Sequence, residues 1–555
     1  MRYLLFIIGL LIFFPLIAEV PEGVKAGAVE KPLIKKEEKL KKKEVPTLEL
    51  KLPEKELKVP DKRKFLVKGF KFEGNTIFTS GHLLRLIKDY QGKKLSLRDL
   101  KKAAERITRY YRSKGYFLAR AYIPAQEIKD GKVRIAILEG RLGKVKVEGA
   151  RYYRPRFIRA NFHPTKKGAL HYPTLLKSLL ILNEFPHLKV KATLLKGKKP
   201  GTTDILLKVS EENMFAATFD YNNFGSKYVS RDRYGLNISY TNLALGGDTL
   251  GAREVSGSTP ERLRFSQLYY TFPVNTYGTK ASLYWLYSEF EVKGEFEPLE
   301  IEGKTEMAGI KVTHPLIRTR AKSLDIYGGF DYKNPRNYLL SELSSEDLLR
   351  ILKLGVTYDC LDRFRGRNYL NAQLSGGLRP GENKTLGIKE SDPSYASRVG
   401  AEGEFTKLNL DYIRLQKLPI STTYAVFKFA GQLADDDLPV CEQLGAGGGE
   451  SVRGYTQSEY MGDYGYITSF EIRFPPPEWK KLQFLAFFDY GNVYKKNPLP
   501  GEEKNEELAG AGVGLRVSLP WDLDISMDWG FPLHPEKNRE DKDSLFYVKI
   551  LKRIF

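Results

Sequence analysis

Small α+β modules followed by an all-β transmembrane barrel of about 16 antiparallel strands are the fold this sequence predicts. Three observations predict it. The chain opens on an apolar segment of export type. Two units of the order β-α-α-β-β follow a charged stretch. From Asn213 onward, apolar and polar residues alternate with period two and without helical periodicity.

The opening segment has a short positive end, Met1-Arg2, an apolar run from Tyr3 to Ile17, and the small residue Ala18 before Glu19. That pattern fits a cleaved signal over residues 1–18 better than an anchor, because the run is short for a span of about 20 residues and charge follows at once. No later segment is long and apolar enough for a transmembrane helix, so any insertion into a membrane must use strands. Residues 19–64 are rich in Lys, Glu and Pro, interrupted by Pro21, Pro32, Pro46, Pro53 and Pro60, and read as a linker.

The first module is expected over residues 65–142. Phe65 to Phe72 alternates as a strand, Glu73-Gly74-Asn75-Thr76 makes a turn, and Leu83, Leu84, Leu86 and Ile87 suggest a helix. Ser96, with Asp99 three residues on, has the form of a capping box. The helix it opens carries Leu100, Ala103, Ala104, Ile107 and Tyr111 on one face and ends at Gly115. Strands are expected at Leu118–Ile123 and Lys132–Leu138 around the Lys129-Asp130-Gly131 turn. The second module, residues 143–212, repeats the order: a strand at Val145–Glu148, helices from Arg154 and over Tyr172 to Leu182, then strands Lys189–Leu194 and Thr203–Val209.

Over residues 213–555 the period is two. Tyr234, Leu236, Ile238 and Tyr240 alternate with Gly235, Asn237 and Ser239, and Leu370, Ala372 and Leu374 with Asn371, Gln373 and Ser375. Val513, Leu515, Val517 and Leu519 alternate with Gly512, Gly514, Arg516 and Ser518; Leu523, Ile525, Met527 and Trp529 alternate with Asp522, Asp524, Ser526 and Asp528. An acidic face opposite a wholly apolar one fits lipid outside and water inside. A soluble β-sandwich would also alternate, with its apolar face in a dry core. The export signal and the length of the helix-free region favour the barrel. At about 21 residues per strand and connection, the region holds about 16 strands.

Charge is concentrated. Residues 65–212 carry 33 Lys/Arg against 12 Asp/Glu, a net of +21 in a chain of net +22. This suggests an acidic partner or anionic lipid headgroups near the modules; nucleic acid is not expected for an exported chain. Cys360 and Cys441 make no disulfide framework and lack zinc-ligand spacing, and whether they are bridged stays open. The six histidines are scattered, so neither a metal nor a cofactor is expected. Gly445-Ala446-Gly447-Gly448 and Gly510-Ala511-Gly512-Val513-Gly514 lack the strand–loop–helix setting of nucleotide loops. No catalytic constellation is legible, and the expectation is a protein that is not an enzyme.

Several motifs in order then resemble one family. Phe72-Glu73-Gly74-Asn75-Thr76, Tyr110-Tyr111-Arg112-Ser113-Lys114-Gly115-Tyr116, Ile123-Pro124-Ala125-Gln126 and Leu138-Glu139-Gly140-Arg141-Leu142 resemble polypeptide-transport-associated (POTRA) domains. Leu182-Asn183-Glu184-Phe185-Pro186, Pro200-Gly201-Thr202-Thr203-Asp204 and Asn222-Asn223-Phe224-Gly225-Ser226 are similar to two-partner-secretion transporters, the exporters of hemolysins and filamentous haemagglutinins within the BamA-like superfamily. The resemblance covers nearly everything from Phe65 to Phe555. It implies an outer-membrane barrel with both POTRA modules in the periplasm, a secreted partner polypeptide of β-helical type, contact with outer-membrane lipid, and a monomer. An assembly factor for other outer-membrane proteins is the alternative on the same fold.

The resemblance also implies a site. Val452-Arg453-Gly454-Tyr455, which directly follows Gly447-Gly448-Gly449-Glu450-Ser451, matches the tip of the large sixth extracellular loop, which folds back into the lumen. Phe487, Asp489 and Gly491 match the facing strand motif, and an ion pair between Arg453 and Asp489 is implied, a latch that holds the loop in the lumen. An arginine fork can hold a carboxylate with two bonds, and the pair strengthens where water is excluded. Two departures stand out. The family's plug helix is not legible in the Lys/Pro-rich segment, and Arg553 precedes the terminal Phe555 where an apolar residue is usual.

Overall fold

The computed structural model describes residues 48–50, 64–128, 130–378, 395–401, 403–420, 422–479, 481–534 and 544–554. The expected signal at residues 1–18, most of the linker, Lys129 and Phe555 lie outside the described residues.

In the first module the expected strand Phe65 to Phe72 is two strands. Lys64–Val67 pairs antiparallel with Lys93–Ser96, and Gly69–Glu73 pairs parallel with Lys132–Leu138. The chain changes partner at Lys68, whose N–H donates to the Gly131 carbonyl at 2.8 Å. Alternation continues across that break, so the pattern alone does not reveal it. Helix α1 spans Ser80–Leu86 and α2 spans Leu97–Ser113. Both bonds of the Ser96/Asp99 capping box form, and α2 buries Leu100, Ala103, Ala104, Ile107 and Tyr111. The Tyr111 hydroxyl donates to buried Glu139 at 2.9 Å, which also accepts from the Thr76 and Ile77 N–H groups. Burial, then the Glu139 carboxylate, pushes the Tyr111 phenol well above its ordinary range.

In the second module, strands Leu188–Lys196 and Thr202–Glu211 form a hairpin, and the latter runs parallel to Arg141–Glu148. Helices α3, Pro155–Ala160, and α4, Tyr172–Leu182, cover the sheet. The segment read wholly as linker contributes a strand: Leu48–Leu50 adds in parallel to Leu188–Lys196, with Leu48 opposite Ala192. Its pairing partner lies some 140 positions on, so no local pattern announces it.

The barrel strands are β1 Phe215–Asn222, β2 Arg233–Thr241, β3 Thr249–Ser256, β4 Leu263–Pro273, β5 Lys280–Glu291, β6 Glu302–Arg318, β7 Lys322–Leu339 and β8 Leu349–Leu361. They continue with β9 Gly366–Gly377, β10 Phe405–Lys417, β11 Tyr424–Ala434, β12 Tyr464–Phe474, β13 Leu482–Tyr494, β14 Asn505–Leu519, β15 Leu523–Pro532 and β16 Leu545–Arg553. The sheet closes where β1 meets β16, with Thr218 opposite Arg553. A short strand, Glu342–Glu346, extends the β7–β8 hairpin. Tyr234, Leu236, Ile238 and Tyr240 are 45%, 44%, 40% and 44% exposed, which decides against a sandwich: a dry core would have buried that face. The inner face is charged, as at the buried pair Arg253–Asp220, 2.7 Å apart.

The second module bears on the turns at one rim. Arg318 Nε, at the end of β6, lies 2.5 Å from Glu184 Oε1, and its Nη2 lies 2.5 Å from Asp325 Oδ1. Asn242 donates to the Tyr152 carbonyl at 2.6 Å, and His163 stacks on Tyr277 with ring centroids 4.7 Å apart. Both cysteines are free thiols. Cys360 sits on β8, whereas Cys441 lies in a single helical turn, Val440–Glu442, not on a strand.

Candidate functional site

Residues 435–463 join β11 to β12 at the end opposite the modules and turn inward. Leu444–Ala446 and Tyr460–Gly462 pair antiparallel, making a ribbon whose tip is a tight reversal. At the tip, the Gly448 N–H donates to the Val452 carbonyl at 3.1 Å. Gly454 has φ +103°, and a Cβ there would come within 2.8 Å of the Pro532 nitrogen, so both conformation and space call for glycine.

The reversal presents Arg453 to the inner wall. Its Nε lies 2.7 Å from Asp489 Oδ2 and its Nη2 lies 2.9 Å from Asp489 Oδ1, while its backbone N–H donates to Oδ2 at 3.1 Å. Asp489 is 0% exposed and Arg453 3%. A fork–fork pair this dry is strong and directional, and each charge depends on the other for compensation.

The seven residues expected at the site form one cluster. The guanidinium carbon sits 3.4 Å from the Phe487 ring centroid, a cation–π contact. Val452 and Tyr455 pack with Ala446, Val493 and Leu508. The Tyr455 hydroxyl donates to the Ala509 carbonyl at 3.0 Å. Gly491 leaves room for Val452: a Cβ there would come within 2.9 Å of its Cγ2.

Three further parts of the site have no sequence motif. Arg453 also meets Glu471 Oε1 at 3.1 Å and Asp528 Oδ2 at 3.4 Å. Lys428 and Arg473 hold Glu471, and Arg516 holds Asp528. Asp528 was legible only as one member of an acidic face; Glu471 lies two residues from Ser469, which opposes Asp489 across the β12–β13 ladder. A second anchor reverses the polarity: Glu442 of the loop is paired with Lys333 of β7 at 2.5 Å and with Lys407 of β10. A third, at the mouth, pairs Arg398 with Asp463 at 2.6 Å and with Asp437 at 3.5 Å. The same Asp463 accepts from the Leu438 and Lys496 N–H groups, drawing three loops together.

A closed barrel that is apolar outside and charged within, carrying α+β modules at one rim and a loop anchored in its lumen, has the architecture of an outer-membrane transporter. The chain belongs to the haemolysin secretion/activation protein family ShlB/FhaC/HecB, which matches residues 201–517; a ShlB-type POTRA domain matches residues 65–140. It is 26% identical over 498 residues to the heme/hemopexin transporter protein HuxB of Haemophilus influenzae, covering 86% of this chain and 85% of that one. It is 23% identical over 481 residues to the outer membrane transporter CdiB of Dickeya dadantii, covering 84% and 83%. Among solved structures, CdiB from Escherichia coli has a like fold, with TM-score 0.74 and 20% identity over 90% of this chain and 92% of that one. The protein is therefore an outer-membrane transporter, with its POTRA modules on the periplasmic side.

Proposed function

We propose that the POTRA modules capture an unfolded, β-helical secreted partner in the periplasm, and that the anchored sixth loop governs its passage through a single-chain barrel. The observation that carries this reading is the ion network around Arg453. It fixes a polypeptide segment inside the lumen, so a cargo strand must run past the loop or displace it. Sheet edges in the modules offer backbone N–H and C=O groups to an extended chain, and their net positive charge raises the encounter rate with an acidic partner. Such a role requires positioning and release rather than bond-making, and we assign the chain no catalytic activity. The test is secretion of a cognate partner by cells carrying the full chain or a chain without the second module. Loss of secretion with unrelated barrels assembled normally supports transport. Normal secretion alongside defective barrel assembly would reassign the protein as an assembly factor.

A further inference from the structure

Between Glu148 and Glu184 the second module has no acidic residue and seven basic ones: Arg151, Arg154, Arg156, Arg159, Lys166, Lys167 and Lys177. Lys177 reaches the Leu316 carbonyl of the barrel at 3.4 Å. The other six side chains are exposed, and among the described residues none of them forms an ion pair. The run is held in place from behind. Glu211 spends its carboxylate on the backbone N–H groups of Arg151, Tyr152 and Tyr153, at 3.0, 2.6 and 3.1 Å. Ile158 is fully buried beneath α3.

The position of the run matters as much as its charge. Asn242 of the β2–β3 turn bonds to Tyr152, and Phe157 of α3 lies against Gly246 and Gly247 of the same turn. His163 stacks on Tyr277 of the β4–β5 turn. Those turns carry apolar side chains that the protein leaves uncovered: Leu243 is 54% exposed, Leu245 60% and Tyr277 59%. Tyr152, 41% exposed, stands beside them with Arg151 over its ring at 5.0 Å. Exposed leucines and aromatics at a barrel rim, beside a run of cations, are the chemistry of a bilayer interface, where hydrocarbon gives way to headgroups.

We infer that the α3 segment, residues 151–167, is a binding surface for anionic phospholipid headgroups of the periplasmic leaflet. It would hold the second module against the membrane beside its own barrel. The inference needs only the outer-membrane location and not the latch or the cargo proposed above. Each cation near an anionic surface raises occupancy about fivefold, and the effect falls off within about one Debye length.

The test uses the purified full chain and native mass spectrometry, titrating phosphatidylglycerol or phosphatidylcholine. One variant carries Arg154→Gln, Arg156→Gln, Arg159→Gln and Lys166→Gln. A control carries Lys93→Gln, Lys94→Gln, Lys101→Gln and Lys102→Gln, four exposed sites on the first module. Heat-modifiable migration checks that both barrels are folded. The expected result is phosphatidylglycerol binding weakened roughly tenfold or more in the first variant, near wild type in the control, with phosphatidylcholine binding unchanged in both. Equal losses in the two variants, or none in either, would overturn the inference. So would a variant that binds phosphatidylglycerol normally but loses an acidic cargo fragment, which would assign the face to polypeptide instead.

Discussion

The guanidinium of Arg453 lies on the ring of Phe487, 3.4 Å from its centroid, while two of its nitrogens grip the oxygens of Asp489 at 2.7 and 2.9 Å. Stacking and forking at once fixes both the plane and the direction of the side chain, so the loop tip has one seat on β13. Arg453→Ala strands Asp489 in a water-poor wall, at about 3–5 kcal/mol of loop docking. The expected outcome is a barrel that still inserts, with reduced secretion and a loop open to protease. Arg453→Lys keeps charge but not the fork, and falls between. Wild-type secretion by the alanine variant would show that the latch is dispensable.

Gly510 tests the same seat without touching a charge. A Cβ there would lie 1.9 Å from the Arg453 carbonyl oxygen, a backbone atom that cannot swing aside. Gly510→Ala should therefore unseat the tip about as far as Arg453→Ala does, read by the same protease cleavage, with every ionic group intact.

Glu442 is expected to act as an independent second anchor, since its lysines stand on β7 and β10 whereas Arg453 is held by β12, β13 and β15. A double-mutant cycle of Glu442→Gln with Lys407→Met should give a coupling of about 1–3 kcal/mol in loop docking. The cycle of Glu442→Gln with Arg453→Ala should be close to additive. Strong coupling in the second cycle would mean that the loop releases as one body.

Among the contacts that dock the second module, one is a largely covered cation, Arg318. Arg318 is held by Glu184 of the module and by Asp325 of its own hairpin, so Glu184→Gln should loosen the module while the barrel keeps the arginine paired. Spin labels placed on the module and the barrel should give a broadened distance distribution in that variant. An unchanged distribution would show that the other rim contacts suffice.

The junction between the modules should be sensitive to acid. His171 hydrogen-bonds Thr174 at 2.6 Å and the Lys114 carbonyl at 3.2 Å. Burial, the largest cause, and Lys166 nearby hold its imidazole below the ordinary value of 6.5. A lowered folded pKa means that the unfolded chain binds the proton more readily, so this contribution is fully present above pH 6.5 and is lost as pH falls through the lowered value. Urea melts of the modules in the full chain should show a midpoint that drops between pH 7.5 and 5, and His171→Gln should flatten that drop.

Legibility followed the range of the interaction. The capping box at Ser96 and Asp99 spans three residues, and the alternation of β2 or β15 repeats within a few, so both could be read from short windows. The tip motif around Arg453 was recognisable through resemblance, because its residues are contiguous. Glu471, Asp528, Glu442 and Arg398 were not, since nothing near each of them specifies its partner. The break at Lys68 and the strand at Leu48–Leu50 were missed for the same reason: each is defined by a partner on a distant segment.

The sequence by itself determined that the chain builds α+β modules and then a lipid-facing barrel, and its resemblance to a family singled out one arginine loop. The modules and the barrel follow from periodicity, charge and local caps, which act between near neighbours. Tertiary structure alone decided where the charges meet. Closing the sheet brings Asp489, Glu471 and Asp528 from three strands onto one guanidinium. Docking the second module on the rim sets its basic run beside exposed leucines. Electrostatic strength depends on distance and on the exclusion of water, and a linear order of residues fixes neither.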